Sequence, residues 1–366
     1  MVKKILWSLI VLIALIVLYF VLWPVPMKPV AWEAPPNPGL TGPFAVNERL
    51  KGVETLPIAG DHGPEDIALD ARGRIYAATH EGHIVRVNAD GSGAKIWVDT
   101  RGRPLGIDFD HQGRLIVADA YRGLLSIARD GAITELATEA DGIPIRYADD
   151  VDVAADGKIY FSDASTKFGA KEWGGTYEAS LLDINEHGGH GRVLVYDPAT
   201  GKTRTLLGGL NFANGVAVSH DQKALLVNET GNYRVVRVWI RGPKKGMSET
   251  LIGALPAFPD NISAGKDGRY WVAFVSPRNP LIDKLSAGPF MRKVIQRMPA
   301  FLRPRAVPYG HIMAVDDTGD VVADLQDPHG KYPLNTSVTE TDDYLYIGSL
   351  VAPVLARLKK SKIGLH

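Results

Sequence analysis

The chain of 366 residues contains no cysteine. That absence excludes disulfides, thiolate nucleophiles and thiolate metal centres together, and leaves oxygen and imidazole donors as the only metal ligands. An excess of either charge is missing as well. Forty-one Lys and Arg balance 41 Asp and Glu, so no global field draws the protein to nucleic acid, and any recognition must be local. Long apolar runs are absent with one exception, residues 5–23 (ILWSLIVLIALIVLYFVLW). What remains, 45% hydrophobic and 22% charged, is the composition of an ordinary folded domain.

The uncharged run at 5–23 has the length a helix needs to cross a hydrocarbon core. Lys3 and Lys4 precede it, Trp7, Tyr19 and Trp23 lie near its ends, and no small-residue cleavage site closes it, which points to an uncleaved signal-anchor helix. Residues 1–4 then form a short cytoplasmic tail. The positive flank predicts a single-pass protein whose C-terminal part lies on the exported side, the periplasm in a bacterium. Residues 24–48 follow as a stalk. Seven prolines between 24 and 43 predict a semi-rigid extended spacer rather than part of the fold.

Beyond the stalk a theme recurs: an alternating strand, a turn with Asp and Gly, and a second strand rich in β-branched and small apolar residues. The copies are EDIALDARGRIYAAT from Glu65, LGIDFDHQGRLIVAD from Leu105, DDVDVAADGKIYFSD from Asp149, NGVAVSHDQKALLVNE from Asn214, DNISAGKDGRYWVAF from Asp260 and SVTETDDYLYIGSL from Ser337. Hairpins such as 82–99, 123–138 and 191–207 supply outer strands. Six copies at this spacing predict an all-β fold, a six-bladed β-propeller over 49–360, in preference to eight blades or a sandwich. The last copy is one strand short. Residues 52–58 lie unused ahead of the first copy and are predicted to complete blade six and close the ring.

Inner strands of a propeller begin on one face around the axis, so the residues that open the copies converge. Here they are Glu65, Asp149, Asn214 and Asp260, followed by Asp66, Asp150 and Asn261. Any one Asp or Asn could simply cap a turn. Three carboxylates and a carboxamide in register in a partly buried channel are too repulsive to stand unpaired without a cation, and oxygen-only donors favour Ca²⁺ over Zn²⁺, with Mg²⁺ or Mn²⁺ as substitutes. The second members, Asp66 and Asp150, are expected to tie down a neighbouring loop or hold a second ion.

GPEDIALD, YADDVDVAADGKIYFSD, GRVLVYDPATGK, LNFANGVAVS, RVWIRGPKKG, LPAFPDNIS and LYIGSL resemble the strictosidine-synthase-like family, which includes adipocyte plasma-membrane-associated proteins. More distantly the chain is similar to gluconolactonases of the senescence-marker type and to paraoxonases. The resemblance, over about 45–358, implies a six-bladed propeller with a central divalent metal, usually Ca²⁺, held by Glu65, Asn214 and Asp260. It implies Asp149 as a fourth ligand and Asn261 as a substrate-side neighbour.

Two departures bear on activity. Residues 327–337 (DPHGKYPLNTS) lack the Glu that the alkaloid-forming branch uses, which disfavours amine condensation, and Arg103-Pro104-Leu105-Gly106 stands where paraoxonase-like enzymes carry a His. The expected activity is therefore metal-assisted hydrolysis of a small-molecule lactone or ester, gluconolactonase- or arylesterase-like, with Asp260 or Asp149 as the proton acceptor. His80, His187, His190 and His311 are alternative bases. A non-catalytic binding propeller stiffened by its ion is the competing expectation. Two long insertions, 164–190 and 276–309, are predicted lids. The second is basic and amphipathic, with a helix expected near 288–302 that packs on the propeller or touches anionic lipid. Because strand 52–58 runs toward the metal face, the chain is expected to enter from the opposite side, which would point the site away from the membrane, whereas the basic lid at 276–309 invites contact with lipid and the stalk is long enough for either orientation.

Overall fold

The computed structural model describes residues 2–365. Six four-stranded antiparallel sheets form the ring. Their inner strands are Ile67–Leu69, Pro104–Phe109, Ala148–Val153, Ala213–Val218, Ala257–Ala264 and Val338–Glu340, which define blades one to six. The expected fold holds. The outer strand of blade six is Glu54–Pro57, which pairs antiparallel with Val354–Lys359 (Glu54 opposite Arg357, Pro57 opposite Val354). The first strand in the chain is thereby stitched to the last.

Strand residues alternate between two sheet faces, and in a propeller both faces are covered by the neighbouring blades. Apolar layers accordingly lie between successive sheets: Ile67, Ile75 and Leu355 between blades one and six, Ile116, Val151 and Phe161 between two and three, Leu226, Val272 and Met313 between four and five. A further cluster, with Phe168, Leu182, Tyr147 and Phe212, sits on the face where the inner strands begin. It carries the lids.

Helix α1 (Val2–Leu22) has no buried residue and is long and apolar enough to cross a membrane. Helix α2 (Thr176–Glu186) lies in the first long insertion; α3 (Pro280–Lys284) and α4 (Pro289–Gln296) lie in the second. The helix expected over 288–302 is shorter. It ends at Gln296 because Pro299 cannot continue it, and only a single 3₁₀ turn, Ala300–Leu302, follows.

Residues 24–48 differ more from expectation. They form a strap against the propeller, not a free spacer. Met27 is buried in the lid cluster, the Lys28 and Val30 amides donate to Glu186 at 2.6 and 2.8 Å, the Trp32 amide donates to the Ser286 carbonyl at 3.1 Å, and Phe44 is buried between blades four and five. The apolar side chains spaced among the prolines explain this, since a polyproline-like segment that carries Met27, Trp32 and Phe44 has surface to bury. The strap ends where Arg49 donates to the Ile363 carbonyl, beyond the end of Val354–Lys359 that lies far from the lids. The closing strand is thus entered from the far face, but the chain above it has already crossed the lid face. Helix α1 ends beside the second lid, where Arg297 donates to the Phe20 and Trp23 carbonyls.

Candidate functional site

A local irregularity repeats in blades two to five. Strand pairing shifts register between Pro104 and Ile107, Ala148 and Val151, Ala213 and Val216, and Pro259 and Ile262. A bulge re-aims the residue it contains. Leu105, Asp149, Asn214 and Asp260 are the first bulged residues, Glu65 takes the matching place ahead of the short inner strand of blade one, and all five line one cavity. Its walls are mostly apolar and include Tyr147, Tyr177, Leu181, Phe212 and Phe258. This is a concave site with a few converging polar groups at its floor.

The second bulged residues bind the ring together. Asp66 accepts from the Ile67 amide at 2.8 Å and from the Ile107 amide of blade two at 2.9 Å, and Asp150 accepts from Val151 and from Val216 of blade four, both at 2.8 Å. Glycine makes the approach feasible. A Cβ at Gly106 would overlap Asp150, and one at Gly215 would overlap the Asn261–Ile262 backbone. Asp66 and Asp150 are therefore inter-blade ties. Asn261 does not line the cavity, and among the described residues neither polar atom of its buried carboxamide has a partner.

The carboxylates are electrostatically loaded. Burial raises the pKa of Glu65, opposed by the Arg103 guanidinium, which donates to Glu65 at 2.8 Å. Burial and then the charges of Glu65 and Asp150 push Asp149 well above the usual carboxylate range. Burial, Glu65 and Asp149 do the same to Asp260, offset by the Asn214 amide, which donates at 2.5 Å. Three carboxylates and one guanidinium leave two formal negative charges, which a divalent cation balances. Among the described residues the buried Asn214 carbonyl oxygen has no partner. An all-oxygen set of Glu65, Asp149, Asn214 and Asp260 therefore fits Ca²⁺ chemically. Among the described residues no three acidic or imidazole side chains already stand as a ligand cluster. Ion binding would draw these side chains together, and Arg103, which holds one oxygen of Glu65, would compete with the ion for that carboxylate.

Arg103 is the residue that sequence reasoning missed as a participant. Its signal was its position, two residues before the bulge of blade two, where its guanidinium reaches back to blade one. Tyr147 went unnoticed too; it lines the cavity two residues before Asp149 and donates to the Thr176 carbonyl at 2.8 Å. The alternative histidines lie elsewhere. His311 is buried against Asp324 at 2.6 Å, His187 stacks under Trp32 at 3.9 Å between ring centres, His190 pairs with Glu186 at 2.7 Å, and His80 lines an outer cavity beside His62. None lines the central cavity.

Fold and floor together define a six-bladed propeller with a polar ring under a lidded, apolar-walled cavity. Residues 42–87 match the family model described as strictosidine synthase-like, N-terminal, and residues 149–243 match that of strictosidine synthase. Protein STRICTOSIDINE SYNTHASE-LIKE 6 of Arabidopsis thaliana is 38% identical over 324 residues, 86% of this chain and 84% of the relative. Adipocyte plasma membrane-associated protein of Salmo salar is 32% identical over 376 residues, 96% of this chain and 88% of the relative. The chain belongs to the strictosidine-synthase-like family. Among solved structures, a gluconolactonase of Xanthomonas campestris superposes with a TM-score of 0.62 at 18% identity (90% of this chain, 99% of that one). The calcium-binding protein regucalcin of Agrobacterium tumefaciens does so at 0.57 and 14% (83% and 94%). At such identities these likenesses speak for the fold alone.

Proposed function

We propose that the protein is a membrane-anchored hydrolase of lactones or esters, dependent on Ca²⁺ or another divalent cation, with its propeller on the exported side. The observation that carries this reading is the ring of Glu65, Asp149, Asn214 and Asp260 at the floor of a cavity whose walls suit an apolar acyl or aryl group. The gluconolactonase and regucalcin likenesses are consistent with it. A bound divalent cation supplies polarisation of the substrate carbonyl and balances the charge that develops on its oxygen.

The residues divide the remaining work. Asn214 holds Asp260 in place through its amide, so Asp260 is committed to the ring. Asp149 accepts no hydrogen bond from a described protein group and faces the cavity, which makes it the better proton acceptor for an attacking water. The water oxygen bonds to the acyl carbon, the C–O bond to the leaving oxygen breaks, and the proton held on Asp149 passes to that oxygen, giving acid and alcohol. Tyr177, Leu181 and Phe258 exclude bulk water from the walls.

The test is hydrolysis of aryl esters and aliphatic lactones by the full chain in detergent, after chelation and again with Ca²⁺ restored. Turnover should require the ion and should vanish in Asp260→Ala. One observation favours the second reading, a non-catalytic binding propeller: Glu65 is already satisfied by Arg103. Ion binding without turnover on any ester or lactone would establish that reading instead.

A further inference from the structure

The membrane helix is bonded to the second lid. Arg297, just after α4, donates from Nε to the Trp23 carbonyl at 2.6 Å and from Nη1 to the Phe20 carbonyl at 2.8 Å, while the Tyr19 hydroxyl donates to the Arg297 carbonyl at 3.0 Å. These are carbonyls of the last turn and end of α1, which has no further turn to satisfy them. A helix of this length leaves the hydrocarbon at Trp23, so Arg297 holds the lid at headgroup height. A second arginine fixes the strap there: Arg292 is buried and donates to the Asn185 and Ser286 carbonyls at 2.9 and 3.1 Å and to that of Val30.

The lid turns apolar side chains outward at this height. Phe301 is 74% exposed and Phe290 52%, with Met291 and Leu302 also exposed. Lys284 and Arg305 are exposed on the same insertion, whose one acidic residue, Asp283, is paired with Arg278 at 3.0 Å. Aromatic and aliphatic groups flanked by uncompensated cations match an anionic lipid surface. Beneath the lid an outer cavity, lined by Leu285, Ile295 and Ala300, shares Tyr177, Leu181, Ile184 and Ile282 with the central cavity. The two cavities adjoin at these apolar side chains and at Arg305, and together they mark a path from the lid toward the polar ring.

We propose that the second lid is a bilayer-docking surface, and that the site takes amphiphiles from the lipid, an ester or lactone head lying at the ring and an alkyl chain lying along this path. The ester or lactone head rests on the hydrolase reading; the docking and the chain do not. Such a substrate partitions into the bilayer, so its local concentration at the lid exceeds that in water.

The absence of cysteine allows a direct test in the full chain. Phe301→Cys and, at the far end of blade six, Asp342→Cys are each labelled with nitrobenzoxadiazole and placed in nanodiscs of phosphatidylcholine and phosphatidylglycerol with doxyl lipid. Docking predicts blue-shifted, quenched emission at 301 and neither effect at 342; equal responses at the two positions overturn it. The path is tested by binding of the methyl ester of 11-(dansylamino)undecanoic acid. Ile295→Arg should weaken that binding at least tenfold and Ile295→Val should restore it. Failure of the probe to bind, or equal affinity in all three proteins, overturns the path. Hydrolysis is scored separately, so loss of the hydrolase reading leaves both results standing.

Discussion

Replacing Arg103 by Met removes the guanidinium that Glu65 binds while keeping an unbranched side chain in the same space. Arg103 and Glu65 side chains are 3% and 8% exposed, so solvent scarcely screens the pair. At a charge separation of ~4 Å and an effective dielectric of ~20 their attraction is about 4 kcal/mol. Truncating one partner of such a pair costs about 3–5 kcal/mol, because the other charge stays buried. Glu65 limits the loss by taking up a proton, since burial already raises its pKa and Arg103 is the group opposing that rise. A loss of about 3 kcal/mol is therefore expected without divalent ions. Ca²⁺ changes the sign of the comparison. In the variant Glu65 no longer shares its charge with a guanidinium, and if a third of the former attraction is redirected to the ion, affinity rises about tenfold. Urea unfolding of the detergent-solubilised full chain, followed by Trp fluorescence, measures both effects. The gap between wild type and Arg103→Met should be wide with chelator and narrower by ~1–2 kcal/mol in saturating Ca²⁺. A gap that is unchanged or wider in Ca²⁺ would refute the competition between Arg103 and the ion.

Other expectations follow from single groups. Asp150→Ala leaves the Val151 and Val216 amides buried and unpaired, which should cost about 2–5 kcal/mol in thermal or chemical unfolding, with Asp150→Asn milder. With Ca²⁺ held saturating for the variant, Asp149→Asn should lower kcat about 100-fold or more with KM little changed, because the proton acceptor is lost. Asp183 in α2 is buried, and burial raises its pKa to about 7. For an acid raised on folding, stability is fully present below the unfolded-state pKa and is lost as pH rises through the folded value. Wild type should therefore lose stability relative to Asp183→Asn between about pH 4 and pH 7, on the order of 4 kcal/mol in all. Matched urea titrations at pH 5 and pH 8 check this, and a pH-independent difference would contradict it.

The ring was legible because its cause is local. Each blade repeats a strand, a turn that contains Asp (with Gly in four of the six) and a strand, a periodicity that the apolar layers between blades need. The converging residues were legible for the same reason: Asp149, Asn214 and Asp260 open their copies, and their bulges follow from two-residue motifs, Asp-Asp, Asn-Gly and Asp-Asn, at the same strand position. The electrostatic partner was not. Arg103 precedes blade two yet serves blade one, a pairing 38 residues apart that no local pattern marks. The strap was misread on composition. Seven prolines signal an extended backbone, which it is, but they do not say whether an extended segment is free, and Met27, Trp32 and Phe44 decide that it is bound. Those contacts place the end of α1 on the lid side of the ring.

Titration calorimetry of Ca²⁺ into the chelator-stripped full chain tests the central claim most directly. A divalent cation balanced by Glu65, Asp149, Asn214 and Asp260 predicts binding at one central site, proton release as the raised carboxyls ionise, and loss of that binding in both Asn214→Ala and Asp260→Ala. Absence of binding in the folded wild type, or undiminished binding in the two variants, would contradict the account.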